Sequence, residues 1–358
     1  MAKRLKHVTA GVIGLGIGRH HLREYASHPK CTIGAICDAD AERLGQVQAE
    51  YGLPEERCFT STGALMRAAG DLGLDAVSVA LPNALHAPVT IAALRAGLHV
   101  LCEKPMAMTA RQGERMIAAA KKAKRTLGLN LSFRFVPQSR ALKDMVDAGR
   151  VGDVYYAHTR WWRERGLPKF GGWFGQRKLS GGGPVIDLGV HRMDLAMWLM
   201  GNPEPSRVSA STYDAIGSRL AREQRKRFDV EDFGAAFVRF TNGASLVLEA
   251  SWAGFSGKRE DQLTEILGTR GGIVQRNLNE GYEYEASVYS EENGTLTETV
   301  IRRRLEASPS AYAEFVDALV EGREPLAPAL HGLQVQRVLD GIYRSARMGR
   351  EVKVQAKA

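Results

Sequence analysis

Residues 8–21, VTAGVIGLGIGRHH, decide how the rest of the chain is read. Val8–Ile13 is a short run of apolar and small residues that suits a buried strand. Gly14, Gly16 and Gly18 then lead into Arg19, His20 and His21, where a helix opens. Gly14 and Gly16 allow the tight turn and close backbone approach that a pyrophosphate needs, with its charge set on the helix N-terminus. The common spacing is GxGxxG; here Gly18 comes one place early, and the pyrophosphate is expected over Ile17 and Gly18.

The next strand supports this reading. TIGAIC (32–37) ends at Asp38, about 20 residues beyond Gly18, where a carboxylate can hold both ribose hydroxyls of a dinucleotide. An acid there repels a 2′-phosphate, and the following Ala39-Asp40-Ala41 brings no arginine, so NAD is expected in preference to NADP. Further apolar runs at 75–82, 99–102 and 126–131 alternate with helical patterns such as AERLGQVQAEYG and ARQGERMIAAAKKAK. This alternation predicts a doubly wound parallel sheet, covered by helices on both faces, over residues 1–130. Beyond residue 130 the texture changes. VYYAHTRWW, FGAAFVRF, ASLVLEASWA, LTEILGT and YEYEASVYS alternate apolar and polar residues. They predict, over residues 131–358, an α+β domain whose large, mostly antiparallel open sheet is covered by helices on one face.

Composition sets the outer bounds. A chain of 358 residues is longer than one core comfortably holds, which agrees with two domains. No apolar run reaches the ~18 residues of a membrane span, and the basic amino terminus shows no cleavage signature. A cytoplasmic protein without a membrane partner is expected. The net charge of +9 invites a nucleic-acid reading, but KKAKR (121–125), RKR (225–227) and RRR (302–304) are short and far apart. They read as solvated faces, and no nucleic-acid partner is expected. The four cysteines lack metal-type spacing and read as reduced and structural.

Two further stretches carry chemistry. LHVLCEKPMAMT (98–109) runs a buried strand directly into Glu103-Lys104-Pro105, which places a lysine at a strand's carboxyl end. SGGGPVIDLGVHRMDLAMWL (180–199) is a glycine loop opening a helix at Pro184, with Asp187, His191 and Asp194 along one polar line. A buried polar line needs partners, and a substrate can supply them. The Asp187 and His191 pair alone suggests a metal, but no third ligand has suitable spacing, so no metal is expected.

GLGIGRHH, PNALH (82–86), EKP, GGGPVIDLGVH and VEDF (230–233) together resemble the Gfo/Idh/MocA oxidoreductases, which include glucose-fructose oxidoreductase and inositol dehydrogenase. The resemblance covers nearly the whole chain; the shortened glycine loop is the main departure. It implies NAD-dependent hydride transfer on a secondary alcohol of a sugar, inositol or related polyol. Lys104 is then expected to bond the reacting hydroxyl, and His191, a residue type that titrates near neutrality, to take its proton. Asp187 would orient the imidazole or hold a neighbouring hydroxyl. Pro82, Asn83, His86 and Glu103 are expected beside the cofactor, with Lys104. Asn130, Arg134, Trp162, Arg163 and Lys178 are expected to contact substrate. Two rival classes exist within the family: glycosidases that use held NAD for transient oxidation, and non-catalytic dinucleotide-binding regulators. The intact lysine, aspartate and histidine argue against the last. Apolar residues on the uncovered sheet face predict a homodimer, or a tetramer built from it.

Overall fold

The computed structural model describes residues 4–302 and 308–354; Arg303 and Arg304 of the basic run at 302–304 lie outside them. The chain divides into two compact units, Met1–Leu131 with Pro309–Leu333, and Ser132–Ser308 with Gln334–Ala358.

The first unit holds a six-stranded sheet of β1 (Val8–Ile13), β2 (Cys31–Cys37), β3 (Cys58–Phe59), β4 (Ala76–Val79), β5 (His99–Cys102) and β6 (Leu127–Leu129). Its order is β3-β2-β1-β4-β5-β6 and every pair is parallel. Strand order reverses between β1 and β4, the place where such sheets bind ligands outside their carboxyl ends. Gly14, Asp38, Ala80, Glu103 and Asn130 follow β1, β2, β4, β5 and β6 at that edge. Val8, Val12, Leu22 and Ile36 pack in one core with Tyr312, Phe315, Val316 and Leu319 of the helix Ala311–Glu321. The unit is thus completed by a segment some 180 residues further along the chain, a return that strand-and-helix alternation does not reveal.

The second unit holds a nine-stranded sheet. Its strands are β7 (Val154–Arg163), β8 (Pro205–Tyr213), β9 (Phe233–Phe240), β10 (Ser245–Ser251), β11 (Glu260–Gly268), β12 (Gly271–Leu278), β13 (Glu283–Glu292), β14 (Thr295–Ile301) and β15 (Val352–Lys353). The order is β14-β13-β12-β11-β7-β10-β9-β8-β15, antiparallel throughout except for the parallel pair β7–β10. Along β7, Ala157, Thr159 and Trp161 are buried on one face, while Tyr156, His158, Arg160 and Trp162 are half-buried on the other. The helix Val190–Leu199 packs against β7, β10 and β11 and is buried at nearly every position, which accounts for its apolar sequence. Residues 213–230 contain a helix, Ala215–Glu223, with Gly217 and Ala221 on its buried side.

Candidate active site

The glycine turn fits a dinucleotide. Gly14 has φ +90°, and a Cβ there would lie 2.3 Å from the Ala80 carbonyl oxygen; one on Gly18 would lie 2.9 Å from Val12 Cγ1. Gly16 opens to free space, and Ile17 is exposed. The helix Gly18–Ser27 has no side-chain cap and no acid in its first turn, so its N-terminal N–H groups can receive an anion. Asp38 is buried, accepts from Leu15 N (2.7 Å) and Asp40 N (2.9 Å), and meets the Arg43 guanidinium at 3.1 Å. Burial alone would raise its pKa; these donors outweigh it and hold the carboxyl below its ordinary value. A cavity of about 360 Å³ lined by Leu15, Gly16, Arg19, Asp40 and Arg43 adjoins this edge. Arg43 was not anticipated. It stands three residues past Asp40 on the helix Ala41–Tyr51, and bridges Asp38 and Asp40 (2.9 Å) at once.

Glu103, expected beside the cofactor, is buried, and its carboxylate accepts from His21 Nε2 (2.9 Å), Asn130 Nδ2 (2.5 Å) and the backbone N of Lys104 (3.1 Å). Although burial works to raise it, the His21 and Asn130 bonds and nearby charge bring its pKa down to about 2. Asn130, expected to touch substrate, is instead buried with its amide shared between Glu103 and the Tyr312 hydroxyl (2.8 Å). Its position at the end of β6 turns the side chain inward against that carboxylate. The His86 side chain is likewise enclosed, with Nδ1 and Nε2 each 2.7 Å from a carbonyl, Pro105 O and Leu81 O. Burial lowers its pKa although both carbonyls favour a charged ring. His86 therefore ties the chain after β4 to the chain after Lys104. Asn83 is buried at the start of the helix Asn83–Arg95, which Pro82 caps, and Lys104 is half-buried.

In the second unit Asp187 lies in a π-helical turn, Val185–Gly189, and His191 lies just beyond it in the helix Val190–Leu199; both are half-buried. The glycine loop before them is fixed by Glu231, whose carboxylate accepts from Gly183 N (2.8 Å) and the Tyr343 hydroxyl (2.8 Å). Asp187 Oδ2 accepts from Trp252 Nε1 at 3.0 Å. The His191 ring lies against Phe133 (5.0 Å between centroids) and Trp161 (5.9 Å). Trp162, expected to contact substrate, points to the opposite sheet face and packs on Phe233 at 6.3 Å, and Trp161 is the one on the His191 side. The strand's two-residue period is the reason. Trp161 Nε1 and Arg163 Nε both donate to Glu260 Oε1 (2.6 and 3.2 Å), and Arg163 also donates to the Tyr282 hydroxyl (2.8 Å).

Arg134 is a further correction. It is fully buried and donates twice to Asp194, at 2.9 and 2.6 Å. That pair has the forked geometry of a two-point ion pair and gives Asp194 a charged partner of its own. Lys178 is exposed on the short helix Arg177–Ser180. Among the described residues no three His, Cys, Asp or Glu side chains are grouped to hold a metal, and no helix is long and apolar enough to cross a membrane.

Residues 8–131 match the family model described as oxidoreductase family, NAD-binding Rossmann fold, and residues 143–354 match its C-terminal alpha/beta domain. D-glucoside 3-dehydrogenase of Escherichia coli (strain K12) is 30% identical over 357 residues, 96% of each chain. The aldose-aldose oxidoreductase of Caulobacter crescentus, solved with glycerol, superposes with a TM-score of 0.82 at 29% identity, covering 97% of this chain and 99% of its own. The WlbA dehydrogenase of Bordetella pertussis, solved with NADH and UDP-GlcNAcA, gives 0.79 at 25%, covering 98% and 100%.

Proposed function

Because this chain belongs to the GFO/IDH/MocA oxidoreductase family, we propose that it moves hydride between NAD and the secondary alcohol or ketone of a sugar, inositol or related polyol. The observation that carries this reading is the position of Lys104. The sheet edge that bears the glycine turn and Asp38 also bears this half-buried lysine, whose backbone N–H is tied to Glu103.

NAD supplies a ring carbon that accepts or returns the hydride. Lys104 holds the substrate oxygen and stabilises negative charge on it as the C–H bond breaks. His191 takes the O–H proton, so alcohol becomes ketone with one hydride and one proton accounted for. Asp187 orients the imidazole and stabilises its protonated form.

A panel of sugars, inositols, polyols and sugar acids, each with NAD or NADP, tests the proposal through NADH formation. Steady turnover of at least one uncharged member with NAD is expected; no turnover of any member, with NAD bound, would refute it. Turnover without added NAD would favour the glycosidase or recycling type of chemistry instead. We also infer a cytoplasmic homodimer, or a tetramer containing it, formed through the uncovered sheet face. Trp162, Phe233, Val247 and Leu263 on that face support this reading.

A further inference from the structure

We infer that Trp252 is a positioning residue for Asp187, a role resting on the reading above that Asp187 works with His191. Trp252 follows β10 and is 1% exposed, one of the largest fully buried side chains of the protein. Its indole has one polar atom, and that N–H donates to Asp187 Oδ2 at 3.0 Å across 65 positions of sequence. A carboxylate serving an imidazole must keep its charge and hold its direction. A lysine or arginine in this place would fix the direction but cancel the charge. An indole N–H fixes the direction and leaves the charge intact.

The indole is itself held. The Trp252 backbone N donates to Asp232 O (2.9 Å) and the Trp252 carbonyl accepts from Gly166 N (2.6 Å). Phe174 packs edge-on at 6.4 Å, and Phe228 is tilted against it at 6.4 Å. Asp187 needs such support because it stands in a π turn, where the backbone ladder is wider than in an α-helix. The other charged groups of this region are Arg163, whose field reaches Asp187, its partner Glu260, and Arg192, which is buried among Phe133, Trp161 and Tyr284.

The test reads the histidine directly and needs no substrate. The full chain is prepared with ¹⁵N-labelled histidine, and the His191 signals, assigned by loss in His191→Ala, are followed against pH by NMR. The three proteins compared with the native chain are Asp187→Asn, a protein with benzothienylalanine at position 252, and the combination of both. The analogue keeps the shape of tryptophan but replaces N–H with sulfur, so folding and packing are retained; Trp252→Phe serves as a second variant. Asp187→Asn should lower the His191 midpoint by on the order of one pH unit, since a nearby carboxylate favours the charged imidazole. The analogue should lower it in the same direction by roughly a third to a half of that, and should add nothing in the Asp187→Asn background. An unchanged midpoint with the analogue, or an equal shift in both backgrounds, would overturn the inference. If Asp187→Asn itself leaves His191 unmoved, the catalytic reading of Asp187 fails instead.

Discussion

Replacing Glu103 by Gln tests the anchoring of the lysine loop. The carboxylate accepts from His21, Asn130 and the Lys104 N–H, and its pKa stands at about 2 against an ordinary 4.5. A depression of that size corresponds to about 3 kcal/mol favouring the folded, ionised form. Because the folded pKa is depressed, the contribution is fully present above pH ~4.5, where the unfolded carboxyl is ionised, and fades as pH falls through about 2. Glu103→Gln should therefore cost about 2–3 kcal/mol in urea unfolding of the first unit at pH 7. NAD protection or a probe on the helix Ala311–Glu321 would report that unit specifically. The gap from the native protein should narrow steadily between pH 4.5 and 2. A cost below ~0.5 kcal/mol at pH 7, or one that does not change with pH, would refute the claim that the buried carboxylate is stabilised by these donors.

Lys104→Met should leave NAD affinity nearly unchanged in calorimetry, because the dinucleotide rests on the glycine turn and Asp38, while turnover falls at least ~100-fold, or ~2.7 kcal/mol. His191→Ala should lose a comparable amount and remove an ionisation near neutrality from the rate profile, and the two together should cost less than their sum. Native protein should bind NAD at least ~10-fold tighter than NADP. Asp38→Ser should narrow that gap, and Arg43→Ala added to it should restore much of the gap, since Arg43 released from Asp38 can turn to the 2′-phosphate. Light scattering at micromolar concentration should give a dimer or tetramer mass, and Phe237→Arg on the uncovered face should shift it to monomer; a native monomer would count against sheet-face pairing.

The sheet of the first unit was legible because β1, β2, β4 and β5 are runs of Val, Ile, Leu and Cys bounded by turn residues. β3 was not, since two residues carry no period. In the second unit β8, PSRVSASTY, has too few large apolar residues for its alternation to stand out. Lys104, Asp187 and His191 stand out by their neighbouring residues, and the roles proposed for them come from the family resemblance. What the sequence hid were contacts between distant positions. Glu103 meets His21 and Asn130, Arg134 meets Asp194, and Trp252 meets Asp187, and spacing in the chain says nothing of such meetings. Arg43 lay nearer to view. An acid followed three residues later by an arginine on one helix is a familiar pair, but its second carboxylate comes from the neighbouring strand end.

The late return of Pro309–Leu333 bears on how the protein is born. Tyr312, Phe315, Val316 and Leu319 belong to the same core as β1 and β2, and Leu129 N donates to Ala327 O. An emerging chain that has finished β6 still lacks these side chains. At ~5–20 residues per second, roughly 10–35 s separate β6 from their synthesis. During that interval the nascent sheet keeps an open apolar seam inside the cell's crowded interior. A ribosome-bound fragment ending at residue 131 should accordingly engage chaperones and resist protease poorly, and one extended past residue 333 should not. The same seam warns against excising residues 1–131 as a portable dinucleotide module: a graft that carried the helix Ala311–Glu321 behind a short linker would keep its core closed.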